Sequence, residues 1–324
     1  MADPNIGERV ASVYERVYPS KPQDNVFDSH AFFHAMGSEG FKSSQPGGRL
    51  FELPIEYGVN TTQQMVSEFS TLDTSRIQVF DAARFDIKIA AGTCVYSYLE
   101  QSMVRGDEAK FDLIAARVEN ARKSHFNLIN TQAWSTLPPG PEDLTSIPTI
   151  ISTTPTTTVV GGINPQVFTW WRNRANSGQM STQAGDNLIR AMELTADQCS
   201  LGGFEMTPTF IISDLASYVL YQNVLQTRLR YFVEDLGKKG DASFLASAIR
   251  FKNTAFVYDE QAPANSVYFL NNKVLFCEYL EGAFAKLDPA VDPANMLTNV
   301  HKLYSFLNLT TNGRRHLGVV FNVS

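Results

Sequence analysis

Two segments that alternate between apolar and polar residues constrain the fold of this chain most. In residues 49–59 the odd positions from Phe51 to Val59 are apolar, while the even positions are mostly polar. Residues 77–89 show a similar alternation, and residues 60–76 between them are rich in Thr, Ser and Gln. This two-residue period predicts a long β-hairpin with a broad, polar tip. Because an isolated two-stranded hairpin is only marginally stable in water, we expect this one to lean on another structure.

The composition is that of an ordinary globular protein. Of 324 residues, 44% are hydrophobic, and 27 Lys and Arg residues against 33 Asp and Glu residues give a net charge of −6. This balance does not fit a basic nucleic-acid binder, and the length predicts about two domains. No apolar run reaches the ~18 residues of a membrane helix. The first residues also lack the basic and apolar regions of a secretory signal, so none is expected.

Cysteine and histidine residues offer little for a metal site. Cys94, Cys199 and Cys277 are odd in number and far apart, which disfavours a disulfide framework or a zinc site and fits a reducing cytoplasm. His30 and His34 are four residues apart and would share one face of a helix, as metal ligands can. A packed or solvated segment is the simpler interpretation of that pair. We therefore expect no metal and no cofactor.

The first 48 residues have the character of an extended arm. A short helix is predicted over Ile6 to Tyr18, and Pro19 and Pro22 end it. The stretch that follows is polar and interrupted by glycines, and no compact core is expected in it. Such a segment is ordered mainly by what it lies against.

Residues 108–131 predict one long helix. Asp107 is a candidate N-cap, with Glu108 in the first turn. A helix of roughly 24 residues would be about 36 Å long. The apolar face follows steps of three and four residues through Phe111, Ile114, Val118, Ala121, His125 and Ile129.

The residues after the break at 138–141 are predicted to form a second α/β region. The Thr-rich residues 146–158 are predicted as loop. Helices are predicted at 165–174, 183–197 and 215–234, and strands at 209–213, 250–258, 266–270 and 316–323. Residues 273–285 and 303–310 are predicted to pair as longer strands.

Three further features admit a chemical and a structural interpretation. Gly161-Gly162 follows a strand-like Val159-Val160, as a phosphate-binding turn would, but the complete phosphate-binding motifs are absent and a tight turn is favoured. Ser213-Asp214 after a predicted strand fits a helix N-cap better than a nucleophile. The basic pairs Arg172 and Arg174, Arg228 and Arg230, and Arg314 and Arg315 can contact phosphates or serve as surface charges.

The sequence contains no recognisable catalytic constellation. An extended arm and a projecting hairpin bury surface only against neighbours, so assembly into an oligomer is the physical expectation. No enzymatic activity is predicted.

Two longer motifs carry a resemblance to a known family. The first joins residues 160–164 (VGGIN) to residues 168–173 (FTWWRN). The second is residues 251–259 (FKNTAFVYD), followed by residues 266–271 (SVYFLN). Together they resemble segments of the major capsid proteins of tailed bacteriophages. The predicted order of arm, hairpin, long helix and large α/β region is also similar to the Hong Kong 97-type capsid fold.

The resemblance implies an α+β fold of the Hong Kong 97-like capsid type. Its parts would be an N-terminal arm at 1–48, an extended hairpin loop at 49–88, a peripheral domain with the spine helix at 89–135 and 274–313, and an axial domain at 136–273 and 314–324. Subunits would form pentamers and hexamers of an icosahedral shell around double-stranded DNA. Implied partners are other copies of the chain, a portal protein, a scaffold, a possible cement protein and weakly contacted DNA, without a membrane. The implied location is the virion, assembled in the host cytoplasm.

Two alternative functions stay open at this stage. An encapsulin-like nanocompartment shell shares the fold and packages enzyme cargo. A soluble α/β enzyme with an unrecognised site belongs to a different class altogether.

Contacts between subunits are expected to be non-covalent. Some capsids of this fold join subunits through a hairpin lysine, but residues 44–86 contain no lysine. A guanidinium stays protonated and is a poor nucleophile, so the arginines of the hairpin cannot replace it. The candidate intersubunit residues are the charged groups of the hairpin, namely Arg49, Glu52, Glu56, Glu68, Arg76 and Arg84.

Overall fold

The structure, a computed structural model, describes residues 31–44, 48–103, 107–179, 186–203, 205–229, 249–252, 254–293 and 296–323. Within these ranges the strands form a five-stranded sheet, a six-stranded sheet and a two-stranded hairpin. The strands are β1 (Phe41–Ser44), β2 (Leu50–Glu56), β3 (Phe80–Asp86), β4 (Lys88–Ser97), β5 (Arg174–Ser177), β6 (Phe210–Ser213), β7 (Ile249–Phe251), β8 (Thr254–Tyr258), β9 (Ser266–Leu270), β10 (Leu275–Leu280), β11 (Lys286–Leu287), β12 (Thr298–Thr311) and β13 (Gly318–Phe321). The helices are α1 (Ala31–Gly40), α2 (Tyr98–Met103), α3 (Asp107–Ala133), α4 (Ile147–Ile150), α5 (Asp186–Cys199) and α6 (Leu215–Leu229).

The five-stranded sheet is built around β12. This strand pairs antiparallel with β4 along ten residues, from Thr298 opposite Ser97 to Leu307 opposite Lys88. Its end pairs with β10, where Leu275 lies opposite Thr311. The predicted pairing of residues 273–285 with residues 303–310 is therefore confirmed, and β12 begins earlier than predicted because β4 extends it.

The long helix predicted at residues 108–131 is confirmed as α3, which packs on β4 and β12. His125 and Ile129 of the predicted apolar face are buried, and Val118 is half-buried. The helix begins at Asp107, so the prediction that this residue is its N-cap is wrong.

Residues 31–44 belong to the packed body of the chain. Phe32 and Met36 on α1 are fully buried, and β1 pairs in parallel with β10. The expectation that residues 1–48 contribute nothing to a core is therefore wrong for this part. Its packing partners, such as Trp134 for Phe32 and β10 for β1, lie about one hundred or more residues away, so no local pattern announces them. The helix predicted at Ile6 to Tyr18 and the residue His30 lie outside the described residues.

The six-stranded sheet has the order β5-β13-β9-β6-β8-β7, with β6 parallel to β8 and antiparallel to β9. The strands predicted at 209–213 and 266–270 are confirmed. The strand predicted at 250–258 is two antiparallel strands, β7 and β8, with Lys252 in the left-handed backbone region between them. Helix α5 covers β5 and β13.

Two local predictions in the second half are wrong. Residues 165–174 do not form a helix, because a single 3-10 turn at Thr169–Trp171 leads directly into β5. The Thr-rich residues 146–158 are not only loop, since they include α4, whose Ile147 and Ile150 are fully buried. In both cases tertiary packing of apolar side chains overrides a weak local propensity.

Candidate assembly interface

The hairpin strands β2 and β3 pair antiparallel from Leu50 opposite Asp86 to Glu56 opposite Phe80. One face is buried and the other exposed, as the two-residue period predicts. The second strand is shorter than the predicted 77–89, because the chain leaves the hairpin at Asp86 and enters β4 at Lys88. At this point, where the chain passes from one sheet to the other, Asn308 Nδ2 donates a hydrogen bond to the Asp86 carbonyl oxygen at 2.7 Å.

The buried face of the hairpin packs against the body of its own chain. Its members share a hydrophobic core with Val160, Ile163 and Trp171. The expectation that the hairpin lacks a partner within the chain is therefore wrong for its strands. The buried hairpin residues are Phe51, Leu53, Ile55, Ala83 and Phe85.

The Gly161-Gly162 pair forms the tight turn that the sequence favoured. Both residues have positive φ angles, 62° and 78°, which glycine adopts at little cost. The turn is closed by hydrogen bonds between Val160 and Ile163. The hairpin contacts this turn at Gly161, whose carbonyl oxygen accepts a hydrogen bond from the Arg84 backbone N–H at 3.0 Å.

The outward face of the hairpin carries the predicted charged residues. All six candidate contact residues are exposed, and the structure brings two of them together. Arg84 Nε lies 3.0 Å from Glu52 Oε1, with both side chains more than half exposed. An exposed pair of this kind contributes at most about 1 kcal/mol to stability. This pair lies within one chain, so all six residues stay predictions as contacts between subunits.

The tip of the hairpin, residues 58–79, projects from the body without strand structure. Its hydrogen bonds join residues of the hairpin itself, as where Gln64 Nε2 donates to the Thr71 carbonyl oxygen at 3.3 Å. The tip also presents large apolar side chains to solvent: Met65 is 105% exposed, Phe69 93% and Leu72 66%. The interpretation of the tip as simply polar is therefore wrong. The signal available in the sequence was the presence of these three large apolar residues in an otherwise polar segment.

Ser213 and Asp214 stand at the start of a helix, as predicted. Ser213 is fully buried, and its Oγ donates a hydrogen bond to the Asp214 carbonyl oxygen at 3.1 Å. The Asp214 carbonyl oxygen also accepts from the backbone N–H of Tyr218, which is the first bond of α6. The arrangement orders the chain and leaves Ser213 without access to a substrate.

Arg314 is a structural residue and not a surface charge. It is fully buried, donating from Nε to the Ile150 carbonyl oxygen at 2.6 Å and from Nη1 to the Thr158 carbonyl oxygen at 3.0 Å. Burial lowers the pKa of the Arg314 guanidinium to about 10. The side chain thereby ties the segment at α4 to the start of the last strand.

Within the described ranges no three His, Cys, Asp or Glu side chains converge into a metal-ligand set. In the same part of the chain, no helix has both the length and the apolarity needed to cross a bilayer.

Comparisons with known proteins define the fold. No protein-family model matches the chain, and no curated protein matches it by sequence. Among solved structures, the capsid of cyanophage A-1(L) superposes with a TM-score of 0.63 at 13% identity, covering 94% of this chain and 96% of that one. The capsid of the Myoviridae phage XM1 gives 0.54 at 9% identity, covering 96% and 97%.

An encapsulin is also similar. The SrpI encapsulin complex from Synechococcus elongatus gives a TM-score of 0.58 at 7% identity, covering 97% of this chain and 95% of that one. The chain therefore has the Hong Kong 97-like capsid fold over nearly its whole length. The predicted α+β class is confirmed.

Proposed function

We propose that this chain is the major capsid protein of a tailed bacteriophage, which assembles with copies of itself into an icosahedral shell around double-stranded DNA. The observation that carries the proposal is the capsid fold, shared along nearly the full length of chains from several phage capsids. At this level of identity the fold by itself does not assign a function. The exposed apolar tip gives independent physical support, because solvent-exposed side chains of this size mark contact surfaces.

The division into parts follows the two sheets. The peripheral domain, at residues 89–135 and 274–313, comprises α3 and most of the five-stranded sheet. The axial domain comprises the six-stranded sheet and its helices, within residues 136–273 and 314–324. Residues 49–88 are the extended loop. The proposed arm is shorter than residues 1–48, because β1 at residues 41–44 joins the five-stranded sheet and is assigned to the peripheral domain.

The proposed contact is made by the tip of one subunit on the body of a neighbour. Burial of three large apolar side chains supplies attraction, and the charged residues along the outward face of the hairpin supply orientation. Each contact is modest, but the symmetry of a closed shell repeats it at every subunit. A chain with a net charge of −6 would enclose DNA with little direct attraction to it. The subunit acts structurally and not as an enzyme.

An encapsulin-like shell is the second candidate, favoured by the similarity to the SrpI encapsulin. Both candidates predict closed shells, and they differ in what the shells enclose. Phage capsids are the more numerous among the similar structures, which favours the first. Portal, scaffold and cement proteins are further partners that the first candidate requires or allows.

Electron microscopy of the purified chain tests the proposal. We expect closed shells, or pentamers and hexamers that close when protein concentration or salt is raised. Particles from the source that contain double-stranded DNA support the capsid function, whereas shells filled with a protein cargo support the encapsulin function. Sedimentation as a monomer or dimer under every condition would exclude both.

A further inference from the structure

The hairpin changes character at Tyr57. Up to this residue one face of the strands is buried in the chain's own core, and the last ladder bond runs from the Tyr57 N–H to the Val79 carbonyl oxygen at 3.0 Å. Beyond it, among the described residues, the hydrogen bonds of the tip join residues of the hairpin itself. In this part of the chain, the contacts that can set the direction of the tip therefore lie at or below Tyr57.

Two contacts join the hairpin to the body, one at this boundary and one below it. The rings of Tyr57 and Trp170 stack with their centroids 5.0 Å apart and an angle of 12° between their planes. Below them, the Arg84 N–H donates to the Gly161 carbonyl oxygen, so the turn at residues 160–163 lies along the free edge of β3. The buried indole of Trp171 holds the turn in place, because its Nε1 donates to the Val160 carbonyl oxygen at 2.9 Å.

Gly161 allows the closest approach between hairpin and turn. A Cβ atom at this position would lie 2.9 Å from the Ala83 Cβ and 3.2 Å from the Phe85 Cζ. Separations this short push the neighbour away or distort the turn. The adjacent Gly162 has a similar positive φ, yet a Cβ there would meet nothing within 4 Å. The two glycines thus share a backbone requirement, and Gly161 alone of the two is required by the hairpin.

We infer that the turn at residues 160–163 and the Trp170 ring form a seat that sets the direction in which the hairpin tip leaves the subunit. Gly161, Trp170 and Tyr57 are then positioning residues for assembly, because they act on the tip through the base of the hairpin. The inference rests on the proposed shell function for its consequence, but the seat itself is a property of the isolated chain.

The length of the tip amplifies any change of direction at the seat. The tip extends about 12 residues beyond Tyr57, which at ~3.3 Å per residue is at most about 40 Å. A rotation of about 10° at the base would then move the far end by up to about 7 Å. Apolar side chains gain contact energy only within about 4.5 Å. A small change at the seat would therefore move Phe69, near the far end, beyond contact with the surface that receives it, and would shift Met65 and Leu72 by up to about 4–5 Å.

The glycine pair provides a matched experiment. Gly161→Ala adds both the strain of a positive φ and the contact with Ala83 and Phe85, whereas Gly162→Ala adds only the strain. On unassembled subunits, we expect the Arg84 amide to exchange with solvent at least tenfold faster in Gly161→Ala than in Gly162→Ala. We also expect the yield of closed shells to fall at least tenfold in the first variant and to stay near that of the parent chain in the second.

The aromatic stack provides a second pair of variants, should Gly161→Ala fail to fold. Tyr57→Ala removes the ring, and Tyr57→Phe keeps it. We expect Tyr57→Ala to lose closed shells at least tenfold with its unfolding midpoint little changed, and Tyr57→Phe to restore them. Equal exchange rates in the two glycine variants would overturn the seat. Faster exchange with shells of normal yield and diameter would overturn its role in assembly.

The two inferences can fail separately. If the parent chain forms no shells, the proposed function fails, while the exchange measurement still decides whether the seat holds the hairpin. If the parent assembles and the glycine variants behave alike, the seat fails and the proposed function stands.

Discussion

Replacing the three exposed apolar residues of the hairpin tip with serine should separate assembly from folding. The change is the triple variant Met65→Ser, Phe69→Ser and Leu72→Ser. In the single chain these side chains contact mostly water, being between 66% and 105% exposed. Substitutions at such surface positions usually change the free energy of unfolding by no more than about 0.5 kcal/mol each. The variant subunit should therefore fold as the parent does.

The contact between subunits should respond very differently. Fully burying a Met, Leu or Phe side chain contributes about 1.5–3 kcal/mol. Even at the lower value, three such side chains contribute about 4.5 kcal/mol to each contact, or roughly a thousandfold in its association constant. Because every subunit of a shell makes the contact, the concentration needed for closure should rise steeply.

Light scattering and sedimentation against protein concentration measure the assembly threshold, and thermal unfolding of unassembled subunits measures folding. The double variant Gln63→Ser and Thr74→Ser is the matched control, since both residues are exposed on the same tip but polar. We expect the control to assemble like the parent chain. Assembly of the triple variant at the parent's threshold would refute the reasoning, and so would a large loss of its unfolding temperature, which would show that the tip packs on its own subunit.

Four further outcomes are expected. Ile129→Ala, at a buried position of the long helix, should cost about 2–5 kcal/mol in chemical denaturation, and Val118→Ala clearly less; equal costs would contradict the assigned face. Asp259→Ala removes the acceptor of the Phe32 N–H and the Asn130 amide, so exchange should quicken along residues 31–40, and unchanged exchange would argue against this link. Burial lowers the pKa of His125 below its ordinary 6.5, so the unfolded chain binds the proton first. Stability should be complete above pH 6.5 and fall below it by at most about 1.4 kcal/mol per pH unit, a slope that must be shallower in His125→Asn. Boiled particles should run as a single band near 36 kDa on a denaturing gel, since residues 44–86 contain no lysine, and a ladder of multimers would show covalent joining.

The predictions that the structure confirms rest mainly on local periodicity. The two-residue alternation from Phe51 to Val59 depends only on neighbouring side chains. It identified the buried face correctly as far as Ile55, whereas Val59 is 84% exposed. The steps of three and four residues did the same for the long helix at His125 and Ile129. Gly161-Gly162 could be assigned to a tight turn because positive φ angles are a property of the residue itself.

Local periodicity does not predict which residues these buried faces pack against. Alternation shows that Phe51 and Phe85 are buried, but it does not say against what, and a neighbouring subunit was the expected answer. The structure places them on a turn some seventy-five or more residues further along the chain. The exposed Met65, Phe69 and Leu72 were overlooked because the Thr, Ser and Gln residues around them dominate the composition of the tip.

The sequence by itself determined where the hairpin strands and the long helix form and which faces of them avoid water, because those properties follow from the spacing of side chains along the backbone. Only the tertiary structure decided that residues 31–44 join the five-stranded sheet, that Arg314 is buried among carbonyl oxygens, and that the hairpin base rests on its own chain. Each depends on contacts between segments more than seventy residues apart, which the order of strands in the sheets brings together. Such contacts leave no periodic trace in the sequence, since either partner alone looks like an ordinary apolar or charged residue.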